Sequence, residues 1–256
     1  MNEIKVLSYN ILDGLQHSQV QVDVFVEWVT RQNPDIIFYQ ELNGWTEERF
    51  AELARRCGHP FSAKIREDGY RMGISSKTEL TEIQRFTEDL RHGCVYARTE
   101  ECHLFAVHLD PFEEEKRLQE IQLILKRVNA LPENAPVMIV GDFNSLAESD
   151  KSTYDEDFQK YFLADKRRTR DAQIEFRVTN LLLEAGFADA YRLFRDEFKT
   201  SCPTLKRLFP GDAGVRIDYA FLSPSLKDKC TSAEIVHDPI TKYLSDHYPF
   251  IFTLEK

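Results

Sequence analysis

Short apolar segments alternate with longer segments of helical period along this chain, and this alternation restricts the fold more than any other sequence feature. The segment "IKVLSYN" predicts a strand, "VDVFVEWVTRQ" an amphipathic helix that stops at Asn33 and Pro34, and "DIIFYQEL" a second buried strand. This order predicts a βαβ unit at the start. The same signals recur downstream in mixed order and favour two packed sheets flanked by helices. A chain of 256 residues can bury such a core, and we expect one domain over residues 1–256.

Polar side chains follow the apolar strands at the points where those strands end. In an open α/β sheet, ligands bind beyond the carboxyl ends of the strands, where several loops converge. Asp218 differs because it lies inside the apolar segment "RIDYAFL". A buried carboxylate is costly unless it is paired, hydrogen-bonded or bound to metal, and a histidine is its natural partner. The residues at the predicted strand ends are Asn10, Glu41, His108, Asp142, Asn144, Asp246 and His247.

Each of these residues also has a purely structural interpretation. Asn10 could cap a loop, and Glu41 could be a helix N-cap or a solvated carboxylate. Asp142 and Asn144 could form an Asx turn, which favours both residue types. His108 could be a half-buried histidine without a chemical role. The coincidence favours function, because independent turns rarely supply acidic, amide and imidazole groups together, a set that suits a hard cation and a phosphoryl group.

Charge and cysteine content narrow the class of protein. Acidic residues outnumber basic residues by 43 to 33, and the formal net charge is −10. No general positive field therefore attracts nucleic acid or an anionic membrane, although a divalent metal can still bring phosphate to carboxylates. The five cysteines are scattered and form no CxxC pair, which favours free thiols in a reducing compartment.

The start of the chain has no signal-peptide pattern, and no apolar run reaches the length of about 18 residues that a membrane span needs. We therefore expect a cytoplasmic protein without stable membrane insertion, and we expect a monomer.

A series of motifs resembles the endonuclease/exonuclease/phosphatase superfamily, which has the deoxyribonuclease-I-like fold. The motifs extend from residue 8 to residue 250, so the resemblance covers nearly the whole chain. It implies an α/β fold in four layers, with two mixed β-sheets packed face to face and helices on both outer surfaces. The motifs, in order, are "SYNILDG", "YQEL", "AVHLD", "GDFNS", "RIDYAFLSP" and "SDHYPF".

The resemblance also implies a metal site and a water site. Glu41 resembles the main metal carboxylate of the family, with Asn10 and Asp246 close by, and oxygen ligands of this kind suit Mg²⁺ or Mn²⁺. Asp142 and Asn144 resemble the pair that positions or deprotonates the attacking water. A buried strand would hold this pair rigidly, and the two-residue spacing predicts that both side chains lie on one face of it.

The resemblance assigns the two histidines to the phosphate. His247 resembles the imidazole that binds a phosphoryl oxygen or acts as general base, and Asp218 resembles the carboxylate that orients it. His108 resembles a second donor to the same phosphate. The implied mechanism is in-line attack of water on phosphorus without a covalent enzyme intermediate.

Substrate contacts are expected from basic residues near these motifs. Residues 151–180 carry Arg168 and Arg170 among interleaved aromatic residues, directly after the Asp142 loop. This segment could be a lid whose arginines bind phosphate and whose rings stack on a base, or a solvated helix with its aromatic residues in the core. We also expect Arg216 to contact a phosphate.

The sequence predicts the reaction more closely than the substrate. We expect a metal-dependent phosphoester hydrolase acting on nucleic acid or on a small or lipid phosphate. The alternative is a non-catalytic protein that binds phosphoesters or nucleic acid and retains only the fold.

Overall fold

The computed structural model of the protein describes residues 3–66, 68–164, 169–170, 173–208 and 214–256. The strands are β1 (Glu3–Asn10), β2 (Ile36–Gln40), β3 (Phe61–Lys64), β4 (Gly73–Ser76), β5 (Thr81–Phe86), β6 (Cys94–Arg98), β7 (His103–His108), β8 (Val137–Asp142), β9 (Thr169–Arg170), β10 (Gln173–Ile174), β11 (Ala188–Asp189), β12 (Asp218–Leu222), β13 (Cys230–Ile235) and β14 (Phe250–Glu255). One six-stranded sheet has the order β13-β14-β1-β2-β4-β3, and a second has the order β11-β12-β8-β7-β6-β5. Strands β9 and β10 pair with each other.

The helices begin and end where local sequence signals place them. Helix α2 follows Ser18, whose hydroxyl accepts a hydrogen bond from the backbone N–H of Gln21, and it ends at Asn33 in a left-handed conformation. Among the described residues, no helix is long and apolar enough to cross a membrane. The helices are α1 (Leu12–Leu15), α2 (Gln19–Gln32), α3 (Glu47–Arg56), α4 (Glu114–Val128), α5 (Glu156–Ala164), α6 (Arg177–Glu184), α7 (Pro224–Lys227) and α8 (Thr241–Leu244), with 3₁₀ turns at Glu148–Thr153 and Tyr191–Leu193.

The apolar residues divide into layers that define the architecture. Between the two sheets, residues such as Phe38 of β2 and Met138 of β8 share one core. On the outer face of the first sheet, α2 and α3 bury residues such as Trp28. On the outer face of the second sheet, α4 and α6 bury residues such as Ile121 and Leu182. This arrangement confirms the predicted four-layer α/β/β/α sandwich.

Strand register brings the predicted strand ends together. Strands β1 and β2 are parallel, as the βαβ prediction requires, and Asn10 lies opposite Gln40. In the second sheet, β7 and β8 are parallel with His108 opposite Asp142, and β12 runs antiparallel with Asp218 opposite Asp142. The amide of Asn10 donates to the carboxylate of Asp142 at 3.2 Å, so the two sheets meet at these strand ends.

Three strands of the six-stranded sheets, β3, β5 and the two-residue β11, have no counterpart in the sequence analysis. Strand β5 carries only exposed and half-buried residues, and β3 is a short strand at the edge of its sheet. Edge strands of this kind lack the continuous apolar run that predicts a buried strand.

Candidate active site

The carboxylate of Asp142, at the end of β8, has two separate roles. Its Oδ1 accepts a hydrogen bond from the backbone N–H of Asn144 at 2.9 Å. Its Oδ2 lies 3.2 Å from Nδ2 of Asn10 and 3.7 Å from Nε2 of both His108 and His247. The side chain is only 2% exposed. One buried oxygen is therefore the point where two imidazoles and an amide converge.

The backbone hydrogen bond from Asn144 to Asp142 is an Asx turn, so the structural interpretation of this pair holds beside the functional one. The expectation that both side chains lie on one strand face is corrected, because Asn144 has left the strand with a φ of 49°. Its Nδ2 instead donates to the carbonyl oxygen of Leu109 at 3.0 Å. Asn144 thereby ties the loop after β8 to the loop after β7.

Gly141 allows β8 to approach its neighbour closely just before Asp142. Its φ is 148°, and a Cβ at this position would lie 1.9 Å from the carbonyl oxygen of Val107. An L-residue cannot occupy that geometry without moving the backbone. The glycine therefore allows β8 to lie close to β7, where Asp142 pairs with His108.

His247 and Asp218 form a buried hydrogen-bonded pair, with Nδ1 of the imidazole 2.8 Å from Oδ2 of the carboxylate. Burial raises the pKa of Asp218; the His247 charge opposes that rise, and the Asp142 charge adds to it. Burial alone would lower the pKa of His247, but the Asp218 carboxylate, with smaller contributions from other neighbours, outweighs burial and holds that pKa well above its usual value. The two groups therefore titrate as a coupled pair that favours a charged imidazole beside a carboxylate, and His247 is the histidine partner predicted for the buried Asp218.

The carboxylate of Glu41 is held by donors from the end of β1. Its Oε1 accepts from Nδ2 of Asn10 at 3.1 Å, and its Oε2 accepts from the backbone N–H of Asp13 at 2.8 Å. The Oδ1 of Asn10 accepts from the backbone N–H of Leu12, so the amide turns its nitrogen toward Glu41 and Asp142. An amide nitrogen of this kind is a hydrogen-bond donor and not a ligand for a hard cation. Asn10 thus bridges two carboxylates by hydrogen bonds, and its role as a metal ligand stays a prediction.

A strained turn adjoins this bridge. Residues 12–17 all have positive φ values, between 44° and 62°. The left-handed conformation costs roughly 1–2 kcal/mol for each non-glycine residue, and Glu41 helps to hold it. The backbone N–H of Gly14 donates to the carbonyl oxygen of Glu41 at 2.7 Å, and Trp45 Nε1 donates to the carbonyl oxygen of Gly14 at 3.0 Å. Such strain is typical of functional sites.

Asp246 lies beside the same strand end. The preceding Ser245 donates its hydroxyl to the carbonyl oxygen of Asn10 at 2.6 Å. The Asp246 carboxylate is 15% exposed and lies 3.4 Å from a guanidinium nitrogen of Arg207. The structure thus places Asp246 next to β1, with one oxygen facing a cation of the chain.

The carboxylates of Glu41 and Asp142 are oxygen ligands of the kind that a divalent cation prefers. In the described part of the chain, no lysine or arginine pairs with the carboxylate of Glu41 or Asp142. The described residues contain one group of three acidic or histidine side chains whose ligand atoms lie within 4.8 Å of one another, namely Asp142, Asp218 and His247. These three side chains have the spacing of a metal site as well as that of an acid–base pair beside a carboxylate.

His108 is supported by a residue that the sequence analysis did not single out. The rings of His92 and His108 stack with centroids 4.4 Å apart and an interplanar angle of 24°. Burial, then the charges of His108, Arg91 and Arg71, lower the pKa of His92 to about 2. His92 is therefore a neutral support for His108. Its position just before β6, which pairs antiparallel with β7, is the signal that would have found it.

The sequence profile of the Endonuclease/Exonuclease/phosphatase family matches residues 7–247, a range that includes every residue of the site just described. The chain belongs to this family. The resemblance inferred from the motifs is thereby confirmed. No curated protein matches the chain.

Several solved structures share the fold of this family member over almost its full length. The AP endonuclease from Archaeoglobus fulgidus is 18% identical with a TM-score of 0.73, and the match covers 99% of this chain and 100% of that one. The Neisseria 3′ phosphatase NExo bound to product DNA hairpin is 17% identical with a TM-score of 0.74 and the same coverage. D. rerio TDP2 complexed with single strand DNA product is 17% identical with a TM-score of 0.72, and the match covers 100% of both chains. At these identities the likeness shows the fold alone.

Arg216 does not reach the surface around the candidate active site. Its side chain is fully buried, with Nε 2.9 Å from Oδ2 of Asp150 and Nη1 2.6 Å from Oδ2 of Asp189. The guanidinium forms ion pairs with both carboxylates and so joins Asp150, in the 3₁₀ turn after β8, to Asp189 of β11. The expectation that Arg216 contacts a substrate phosphate is therefore wrong.

The segment 151–180 supports the structural alternative where it is described. Tyr154 stacks on Phe158 at 4.2 Å, and both belong to a buried cluster against which Phe176 packs. Arg168 lies outside the described residues. The backbone of Arg170 belongs to β9, but its side chain also lies outside the description.

Proposed function

We propose that this family member is a divalent-metal-dependent phosphoester hydrolase. The observation that supports the proposal most is the convergence of His108 and His247 on one buried oxygen of Asp142, with the Glu41 carboxylate joined to that oxygen through Asn10. An acidic group, two imidazoles and an oxygen ligand within a few ångströms suit transfer of a phosphoryl group to water.

Glu41 would hold the cation, with Asp246 as a second carboxylate ligand, and Mg²⁺ or Mn²⁺ suits such ligands. When bound, that ion would supply Lewis-acid stabilisation of charge on phosphoryl oxygens. Asn10 would keep the carboxylates of Glu41 and Asp142 at a fixed separation, because its amide donates to both.

Asp142 would orient and deprotonate the attacking water through Oδ2. The Asx turn occupies Oδ1, so the carboxylate cannot rotate freely and Oδ2 stays directed at the histidines. Asn144 fixes this loop by its hydrogen bond to the carbonyl oxygen of Leu109. The attack that we propose is in line with the leaving group.

His247 would donate its Nε2 proton to a phosphoryl or leaving-group oxygen. Asp218 holds Nδ1 and keeps the imidazole charged, so the donor is ready at neutral pH. His108, stacked on His92, would give a second hydrogen bond to the same phosphate.

DNA is the first substrate to test, because NExo and TDP2 are described in complex with DNA products. We further propose that this family member acts as a single-domain monomer in the cytoplasm. Its five cysteines are free thiols, which suits a reducing compartment.

A hydrolysis panel tests the proposal. It contains bis-p-nitrophenyl phosphate, a phosphomonoester, single-stranded and double-stranded DNA, RNA and phosphoinositides, each with Mg²⁺, Mn²⁺ or chelator. We expect at least one class to turn over only with metal, and His247→Gln to lose that turnover. If the wild type hydrolyses none of them, the catalytic proposal fails, and calorimetric metal titration then tests the alternative of a binding protein.

A further inference from the structure

A row of rings and guanidinium groups borders the candidate active site between Glu41 and His108. We call five of its residues the basic aromatic rim: Tyr70, Arg71, Arg91, His92 and Phe112. On one side, the carbonyl oxygen of Arg71 accepts from the backbone N–H of Leu42, one residue beyond Glu41, at 2.9 Å. On the other side, His92 stacks on His108. The rim therefore adjoins both the metal-binding side and the histidine side of the site.

Three separate loops interlock to build this rim. Arg71 donates from Nη1 to the carbonyl oxygen of Arg91 at 3.0 Å. The ring of Tyr70 meets that of His92 edge-on, with centroids 5.9 Å apart. The guanidinium of Arg91 lies 4.7 Å above the centre of the Phe112 ring. These contacts join the loops before β4, before β6 and after β7 into one surface.

The outer part of the rim is open to solvent. Tyr70 is 50% exposed and Phe112 is 52% exposed, so both rings offer surface to a ligand. The side chain of Arg91 is 47% exposed and pairs with Asp110 at 3.2 Å. Asp110 also accepts hydrogen bonds from the backbone N–H groups of Phe112 and Glu113. Its charge is thus shared among several donors, and the guanidinium of Arg91 retains N–H groups for another anion.

We propose that the basic aromatic rim binds the single-stranded nucleic acid that flanks the scissile phosphate. Bases stack on Tyr70 and Phe112, and Arg71 and Arg91 face the backbone phosphates. The inference rests on the proposed function, because the rim has this role only if the adjoining site acts on a phosphoester. Aromatic faces alternating with arginines are the arrangement by which proteins hold unpaired strands.

Charge complementarity and continuity with the site favour this occupant. The chain carries a net charge of −10, so a surface with two arginines beside the catalytic histidines is local and not part of a general positive field. A duplex keeps its bases stacked on one another and cannot offer their faces to Tyr70 and Phe112.

The test is the binding of a fluorescein-labelled single strand of about ten nucleotides, a length within the usual site size. Anisotropy is measured with Mg²⁺ in an Asp142→Asn background, so that the strand is not consumed. We expect Tyr70→Ala and Phe112→Ala each to weaken binding about tenfold. We expect Arg91→Ala to weaken binding and to reduce the slope of log K against log salt by about 0.7.

Two control variants match these changes at the far end of the sheets. Arg98 is 46% exposed and paired with Glu82, as Arg91 is with Asp110, and it lies at the opposite end of β6. Phe61 is 38% exposed and begins β3, opposite Ser76 at the end of β4 that lies away from the site. Arg98→Ala and Phe61→Ala should bind the strand as the parent protein does.

The inference is overturned if the parent binds no single strand, if it binds a duplex or phosphoinositide vesicles more tightly, or if the rim variants bind no more weakly than the controls. The proposed function is judged separately, by metal-dependent hydrolysis of the substrate panel by the wild type. Hydrolysis with normal binding by the rim variants would refute the rim alone. Lost binding in those variants, without hydrolysis of any panel substrate by the wild type, would refute the catalytic proposal and leave the rim as a site for single-stranded nucleic acid that flanks no scissile phosphate.

Discussion

Replacing Asp218 by asparagine removes the charge that keeps His247 protonated. The substitution preserves size, and the amide oxygen can still accept from Nδ1 of the imidazole across the present 2.8 Å. What is lost is the negative charge that outweighs the effect of burial on the pKa of His247. Asp218→Asn therefore tests the electrostatic role of the pair with little change in its geometry.

The expected loss of rate follows from the strength of that bond. A hydrogen bond to a charged group contributes about 1.5–3 kcal/mol, and about 1.4 kcal/mol corresponds to a tenfold change in rate. We therefore expect kcat at neutral pH to fall by roughly tenfold to a hundredfold. The variant should also lose activity at a lower pH than the wild type as pH rises, because its imidazole gives up the proton sooner.

Stability should change with pH in the same variant. The folded pKa of His247 is raised, so the folded imidazole binds its proton more tightly than it does in the unfolded chain. This contribution is fully present below the ordinary pKa of histidine and is lost as pH rises through the folded pKa of His247. In Asp218→Asn, the fall in stability toward alkaline pH should be weaker.

The assay combines pH–rate profiles with urea unfolding, followed by tryptophan fluorescence, for the wild type and Asp218→Asn. A rate within twofold of the wild type, together with an unchanged alkaline limb, would refute the reasoning. Such a result would mean that His247 does not act as a charged donor.

Three further substitutions test the site and its support. Glu41→Gln should abolish metal-dependent turnover. It should also destabilise the strained turn by about 1 kcal/mol, because the new amide group would face the amide of Asn10, which donates to Glu41 in the wild type. Turnover near the wild-type rate with Mg²⁺ would exclude Glu41 as the metal ligand. Arg216→Met should lower the free energy of unfolding by about 3–5 kcal/mol, because it leaves two buried carboxylates with less compensation; a raised KM at unchanged stability would instead restore Arg216 to the substrate site. Gly141→Ala should cost roughly 3 kcal/mol or more, because its Cβ would collide with Val107; wild-type behaviour in urea unfolding would contradict that geometry.

The fold was largely predictable because its signals are local. Buried strands such as β2 and β8 are continuous apolar runs, and α2 has both a serine cap and a terminating asparagine. Strand β5 was missed because its residues face solvent or are half-buried, so its place in the sheet depends on pairing with β6. Pairing of that kind involves distant parts of the chain and leaves little trace in the local pattern.

The site was predictable in its residue types and less so in its contacts. A buried aspartate needs a partner, and this reasoning led correctly from Asp218 to His247. The direction of the Asn10 amide depends on the backbone N–H of Leu12 in a left-handed turn, which sequence pattern does not indicate. Arg216 was misassigned because the two carboxylates that bury it are supplied by residues 66 and 27 positions away.

The most direct measurement of the central claim is the initial rate of p-nitrophenolate release from bis-p-nitrophenyl phosphate by the wild type and Asp142→Asn. Each protein is assayed with Mg²⁺, with chelator, and with Mg²⁺ restored after chelation. We predict release by the wild type that stops with chelator and returns with Mg²⁺, and a loss of at least about a hundredfold in Asp142→Asn. Release that persists in chelator, or an equal rate in the variant, would contradict metal-dependent hydrolysis at this site.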